Sequence, residues 1–261
     1  MNFVFTIAGS DSSAGAGIQE DLKTCSALGV YCVTVITSIT AQNTFSVRDI
    51  FDLPAETVEK QLEAVYEDFP LEYGKTGMVS NKNIIEKISN KIIEHGLKVV
   101  VDPVMYSKSG SKLLKDDSID SIKSNLIPIA YIVTPNIPEA EILSNIKISG
   151  LEDMKLAAER IRDLGPKIVI VKGGHMESET VVDVIYDGKF KYLEYPKIRT
   201  RNTHGTGCTY SSAIASFLAK GDEPFEAIEN ARSFLQESIK NSLNIGHGNG
   251  PLNPFFNLWN K

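Results

Sequence analysis

The chain of 261 residues is poor in cysteine, in clustered charge and in long apolar runs. Its 3 cysteines, Cys25, Cys32 and Cys208, lie far apart, an odd number with no CxxC spacing. That excludes a disulfide framework and a cysteine-based zinc site, and it predicts a reduced, cytoplasmic setting. No stretch approaches the roughly 18 uninterrupted apolar residues of a membrane span. The opening MNFVFTIAGSD has no basic leader, and its apolar stretch is too short for a secretory signal. Lysine and arginine form no run and the net charge is −6, so neither nucleic acid nor an anionic membrane is an expected partner. Low-complexity linkers and internal repeats are also missing, so residues 1–261 read as a single domain.

What is present is an alternation. FVFTIAG leads into the helical pattern AGIQEDLKTCSALG, which leads into YCVTVITSITAQ. EYGKTGMV, KVVVDPV, AYIVTPN and KIVIVKGG follow, most of them succeeded by a helical pattern. Near-continuous apolar runs such as VVV and IVIV suit strands buried on both faces. Strands alternating with helices predict an α/β fold, a mostly parallel central sheet sandwiched between helix layers. Residues 181–195, VVDVIYDGKFKYLEY, differ: two strand patterns flank Asp187-Gly188, which predicts an antiparallel hairpin at one sheet edge. Leu151, Met154, Ala158 and Ile161 recur at helical spacing, as do Val58, Leu62 and Val65, and mark buried helix faces.

Polar and glycine-rich segments fall at the C-terminal ends of the expected strands, where open α/β sheets bind ligands. Two nucleotide signatures fail. Gly74-Lys75-Thr76 resembles the end of a P-loop, but Phe69 stands where its first glycine belongs; Gly15-Ala16-Gly17 begins a GxGxxG that ends on Glu20. In NTHGTGCT, Gly205 and Gly207 precede a helix start, whose free N–H groups either bind an anion or merely close a turn. Cys208 sits in that first turn. The helix dipole predicts a lowered thiol pKa, against the alternative of a small packing residue. Asp102 and Glu139 follow buried strands and suit Mg²⁺, or else cap helices. Lys172, before Gly173-Gly174, either meets phosphate or is a solvated strand end. Gln42 ends the second strand with an amide able to read a heteroaromatic ring that carries an amine. Met78 and Val104 supply apolar walls to such a ring or fill the core. His175 and His204 lack metal-ligand spacing and read as loop residues.

Taken in order, TIAGSDSSAGAGIQEDLKTCSALG, AQNT, KTGM, VDPVM, KSG, TPNIPEAE, VKGGH, NTHGTGCT and GHGNGPLNPFF resemble the hydroxymethylpyrimidine/phosphomethylpyrimidine kinases of thiamin synthesis, within the ribokinase superfamily. The likeness spans nearly the whole chain. It implies a ribokinase-like three-layer α/β/α sandwich and ATP- and Mg²⁺-dependent phosphorylation of 4-amino-5-hydroxymethyl-2-methylpyrimidine, then of its monophosphate. It also implies a homodimer. By the same resemblance, Gln42 binds the pyrimidine, with Gly9, Ala16, Met78 and Val104 around it. Asp102 and Glu139 are the metal-linked acids, and Lys172, Thr206 and Asn136 belong to the nucleotide side. Gly205, Gly207 and the Cys208 amide form the anion hole, and the Cys208 side chain stands at the catalytic-base position. Two departures stand out: Ser13-Ala14 where the family commonly has Ser-Gly, and Tyr106-Ser107 in a flap segment that usually carries small apolar residues. Relatives with these loops also phosphorylate vitamin B6, so pyridoxal kinase is the alternative activity, followed by a non-catalytic ligand binder.

Overall fold

The computed structural model describes residues 1–106, 114, 116–175 and 179–259. In chain order the first half runs β1 (Phe3–Asp11), α1 (Gly17–Ala27), β2 (Tyr31–Gln42), β3 (Val47–Asp52), α2 (Ala55–Asp68), β4 (Tyr73–Thr76), α3 (Lys82–Glu94) and β5 (Lys98–Val101). Then come α4 (Asp116–Ser121), β6 (Ile132–Val133), α5 (Ile137–Ser144), α6 (Leu151–Arg162), β7 (Ile168–Val171), β8 (Thr180–Tyr186), β9 (Phe190–Pro196), α7 (Thr206–Ala219), α8 (Pro224–Lys240) and α9 (Phe256–Trp259). Among the described residues the strands form one nine-stranded sheet in the order β3-β2-β1-β4-β5-β6-β7-β8-β9. From β2 across to β7 the neighbours are parallel.

Strand periodicity builds the three layers. Successive side chains point to opposite faces, so Val4 and Val100 enter one core while Phe5, Ile7, Val99 and Val101 enter the other. Ile168 and Ile170 face away from Val169 and Val171 in the same way. One core is covered by residues of α1, α7 and α8, such as Cys25, Ile214 and Ile228, and the other by residues of α2, α3, α5 and α6, such as Leu62, Ile88, Leu143 and Ile161. Because both faces of the central strands are dry, VVV and IVIV show no polar alternation.

The hairpin at Asp187-Gly188 forms as β8 and β9, with Tyr186 opposite Phe190, at one edge of the sheet. The other edge holds a strand that no apolar run marks in the sequence. β3 (VRDIFD) pairs antiparallel with β2, and its residues are exposed or half-buried. Its charges interrupt any apolar run, and its one partner strand lies to one side, so its own pattern carried little signal. Leu151, grouped with Met154, Ala158 and Ile161 as a buried face, is in fact exposed, because it is the first residue of α6 and projects beyond the packed turn.

The direction of chain progression reverses between β1 and β4, since β2 and β3 lie to one side and β5 to β9 to the other. At such a switch point the loops after neighbouring strands diverge and leave a crevice at the strands' carboxyl ends.

Candidate active site

A cavity of about 720 Å³ opens over that crevice. It is lined by the ends of β1 and β2, the segments after β4 and β5, the starts of α5 and α7, and one side of α8. Gly9, Ala16, Gln42, Met78, Val104, Asp102, Asn136, Glu139, Lys172, Gly205, Thr206, Gly207 and Cys208 all line it. The family-like KSG segment and Ser107 lie outside the described residues; Tyr106 is half-exposed at the rim.

The turn into α7 is shaped by two glycines. Gly205, the residue before the helix, takes φ +88°, and a Cβ there would lie 2.1 Å from the Gly15 carbonyl oxygen. A Cβ on Gly207 would lie 2.7 Å from Asp102 Oδ2 and 3.4 Å from Lys172 Nζ. Glycine is therefore required at 205 by backbone conformation and at 207 by contact. The Thr206 hydroxyl donates to Thr203 O at 2.6 Å and closes the turn. First-turn amides have no intrahelical acceptor, and the dipole's positive end adds to them, so this helix start presents N–H groups to an anion in the cavity.

Beside it lies a compact charged set. Lys172 Nζ pairs with Asp102 Oδ1 at 2.9 Å, and Thr134 Oγ1 donates to the same oxygen at 3.3 Å. Glu139 takes its capping role: its carboxylate accepts the Asn136 N–H at 2.9 Å while Asn136 Oδ1 accepts the Glu139 N–H at 3.0 Å. Asn136 is thus the N-cap of α5, and both residues still face the cavity. Burial pushes Glu139 up to about 7, against the pull of Lys172 and with repulsion from Asp102. For Lys172, burial favours the neutral amine, but Asp102 and Glu139 outweigh it and hold its pKa above the ordinary value. Two nearby carboxylates beside a bound lysine supply hard oxygen donors suited to a divalent cation shared with phosphates. Among the described residues there is no cluster of three or more His, Cys, Asp or Glu that alone would cage one.

Cys208 corrects one expectation. Its thiol is buried, and desolvation pushes it up to about 12, although Lys75 and the Gly17 N–H act in the opposite direction. The helix dipole does not deliver a lowered pKa here, because loss of water costs the thiolate more than the first turn returns. Lys75, the P-loop look-alike, is fully buried and pairs with Asp21 through both carboxylate oxygens at 2.9 Å. Thr6 and Ser212 donate to that carboxylate at 2.6 and 2.7 Å, so the pair ties β1, α1, β4 and α7 together beneath the site.

Two features went unread in the sequence. His204 is buried, its Nε2 2.7 Å from Asp11 Oδ2 and 3.3 Å from Gln42 Nε2. Asp11 also accepts the Ser13 N–H and hydroxyl and the Ala16 N–H; burial alone would raise its pKa, but His204 and Ser13 hold it below the ordinary carboxylate value. At the opposite end, Asp183 accepts the Gly173 N–H at 2.9 Å and the Arg232 Nε–H at 3.0 Å, while Arg232 stacks over Tyr195. Of the four charged or titratable residues, only His204 stands next to a glycine in the sequence; Asp11, Asp183 and Arg232 carry no such signal. The loop departure at Ala14 is visible as strain, since this exposed non-glycine residue takes φ +58°.

Comparison with known proteins places this architecture among vitamin kinases. The phosphomethylpyrimidine kinase family model matches residues 11–253. A hydroxymethylpyrimidine/phosphomethylpyrimidine kinase from Bacillus subtilis is 47% identical over 96% of this chain and 93% of its own. The crystal structure of phosphomethylpyrimidine kinase from Clostridium difficile 630 has a TM-score of 0.82 at 47% identity, covering 92% of this chain and 100% of that one. An ADP complex of Bacillus subtilis pyridoxal kinase has a TM-score of 0.91 at 39% identity, covering 97% of each chain.

Proposed function

The chain belongs to the phosphomethylpyrimidine kinase family, and from that premise we propose how its cavity performs the reaction. It is a kinase that phosphorylates 4-amino-5-hydroxymethyl-2-methylpyrimidine and then its monophosphate, giving the diphosphate for thiamin synthesis. The observation that carries this reading is the joining, in one cavity, of the Gly205–Cys208 helix start, the Asp102–Lys172 pair and the Gln42 amide.

In our reading, Gln42 holds the aminopyrimidine edge between Met78 and Val104, with Gly9 and Ala16 closing the ring site. ATP lies toward Thr206, Asn136 and Lys172. The acceptor oxygen attacks the γ-phosphorus as the bond to the bridging oxygen breaks and ADP departs. The α7 amides and Lys172 stabilise the charge spread over the transferring group. Asp102 and Glu139 would hold Mg²⁺, whose chemistry is to neutralise charge on the nucleotide phosphates. Cys208, as the thiolate left once its own proton has departed, takes the hydroxyl proton of the first acceptor during transfer. The same reading carries a one-domain homodimer in the cytoplasm; no helix among the described residues is long and apolar enough to cross a membrane.

The similarity to pyridoxal kinase supports phosphorylation of pyridoxal as the alternative activity. Its ring is a pyridine without an exocyclic amine, which leaves part of the Gln42 amide unpaired. ADP release measured with hydroxymethylpyrimidine, its monophosphate and pyridoxal tests both. The expected order of kcat/KM puts both pyrimidines above pyridoxal, and a clear pyridoxal preference would reverse the assignment.

A further inference from the structure

His204 is buried beside Gln42 and takes no part in the reaction above. Its Nε2 lies 2.7 Å from Asp11 Oδ2, and the Asp11 oxygens also receive N–H groups from Ser13 and Ala16. A carboxylate so held is ionised and only accepts, consistent with its lowered pKa. The histidine Nε2 must therefore carry the proton, whatever the charge on the ring.

That proton constrains the neighbour. The Gln42 carboxamide lies between His204 Nε2, 3.3 Å from one end, and Thr40 Oγ1, 3.3 Å from the other. Its oxygen and nitrogen ends are nearly the same size, so the surrounding donors and acceptors decide the orientation. With the amide nitrogen toward His204, two N–H donors face each other. With the oxygen there, the His204 proton is shared between Asp11 and Gln42 Oε1. The amide N–H then meets Thr40 Oγ1, whose own proton is used on the Ser10 carbonyl at 3.0 Å. Every donor then has an acceptor. The main chain of Gln42 adds no freedom, since its N–H and C=O are both bonded to the Ser12 hydroxyl, at 2.8 and 2.7 Å.

We propose that Asp11 and His204 are positioning residues that turn the Gln42 carboxamide so that its oxygen faces His204, and thereby set the enzyme's choice of ring. The inference rests on Gln42 being the ring-reading residue of the proposed function. In this orientation the amide offers an acceptor on the His204 side and a donor on the Thr40 side. That pair complements an exocyclic amine beside a bare ring nitrogen. A 4-oxo pyrimidine presents the reverse, a carbonyl beside a ring N–H, and needs the amide turned end for end. Removing the histidine donor leaves the Asp11 carboxylate free to draw the amide N–H toward itself, which produces that reversal.

The test compares kcat/KM on 5-hydroxymethyl-2-methylpyrimidine bearing either a 4-amino or a 4-oxo group. His204→Phe keeps a ring against Gly15, and His204→Asn keeps polarity while withdrawing the donor from Asp11. Both are expected to lower the amino-to-oxo ratio by about tenfold or more, chiefly through KM. His204→Gln, whose amide nitrogen reaches near the lost Nε2, should restore the ratio to within about threefold of wild type, because it again offers a donor. Equal losses on both substrates in His204→Phe and His204→Asn would overturn the positioning role while leaving the kinase assignment intact. Failure of the wild-type enzyme to phosphorylate the 4-amino substrate would instead defeat the functional reading and this inference with it.

Discussion

Replacing Cys208 by alanine should separate the two phosphorylations. The thiol rises from an ordinary value of 9.0 to about 12 on burial, which adds about 4 kcal/mol to the cost of forming a thiolate before substrate binds. A thiol that still carries its proton cannot accept a second one, so Cys208 acts as general base only from the thiolate, after its own proton has left the site. Such general-base assistance contributes about 10²–10⁴ in rate. The first acceptor is an alcohol and needs it. The second is a phosphate monoester whose second pKa is about 6, so it arrives ionised and has no proton to give up. Single-turnover ADP formation with Cys208→Ala should therefore fall by about 10²-fold or more on hydroxymethylpyrimidine and by less than about tenfold on its monophosphate. The change removes only the buried sulfur, so the melting temperature serves as a control on folding. Equal losses on the two acceptors would refute the reasoning and reduce Cys208 to packing.

Three further outcomes follow from the geometry. Glu20 is buried against Thr209 and Lys23, and desolvation raises its carboxyl from 4.5 to about 7. Its folded-state pKa lies above the unfolded value, so stability falls as pH rises through that window; Glu20→Gln should gain up to about 3 kcal/mol over wild type at pH 8, less the lost Lys23 pair, and nothing below pH 4.5 in urea titrations. Ala14 sits at φ +58° on an exposed loop, and Ala14→Gly should stabilise by up to about 1 kcal/mol, after allowing for glycine's greater unfolded-state freedom. Calorimetry would show a rise of about 2–4 °C; an unchanged or lower Tm would contradict it. A Cβ at residue 207 meets Asp102 Oδ2 at 2.7 Å, so Gly207→Ala should displace the Asp102–Lys172 pair and cost about 10²-fold in kcat, with an overpacking loss of about 1–3 kcal/mol in stability. Wild-type turnover in that variant would show that the pair's placement does not matter.

Much of this protein could be read from its sequence because the relevant signals are local. Apolar runs such as VVV and IVIV mark strands buried on both faces whatever surrounds them, and Asp187-Gly188 turns a hairpin by its own backbone preferences. Gly205 and Gly207 before a helical pattern announce a close-approach turn in the same way, and a series of motifs in fixed order identifies the family more firmly than any one does. The ring-facing, acidic and glycine positions fall together because each follows a strand of one sheet, and strand ends of a parallel sheet share an edge.

Tertiary structure decided what depends on distant neighbours. Asp11 and His204 meet across 193 positions of sequence, and no periodicity links them. β3 owes its place to one partner strand at an edge, which a charged six-residue segment does not advertise. Lys75 is drawn out of its P-loop disguise only by Asp21, which the packing of α7 against both α1 and β4 brings beneath the site. Cys208 shows the division most plainly. Its place at a helix start, visible in the sequence, argues for an acidic thiol. Its burial, which only the assembled layers create, reverses that sign, because desolvation acts on the whole thiolate charge while the helix start offers a partial one.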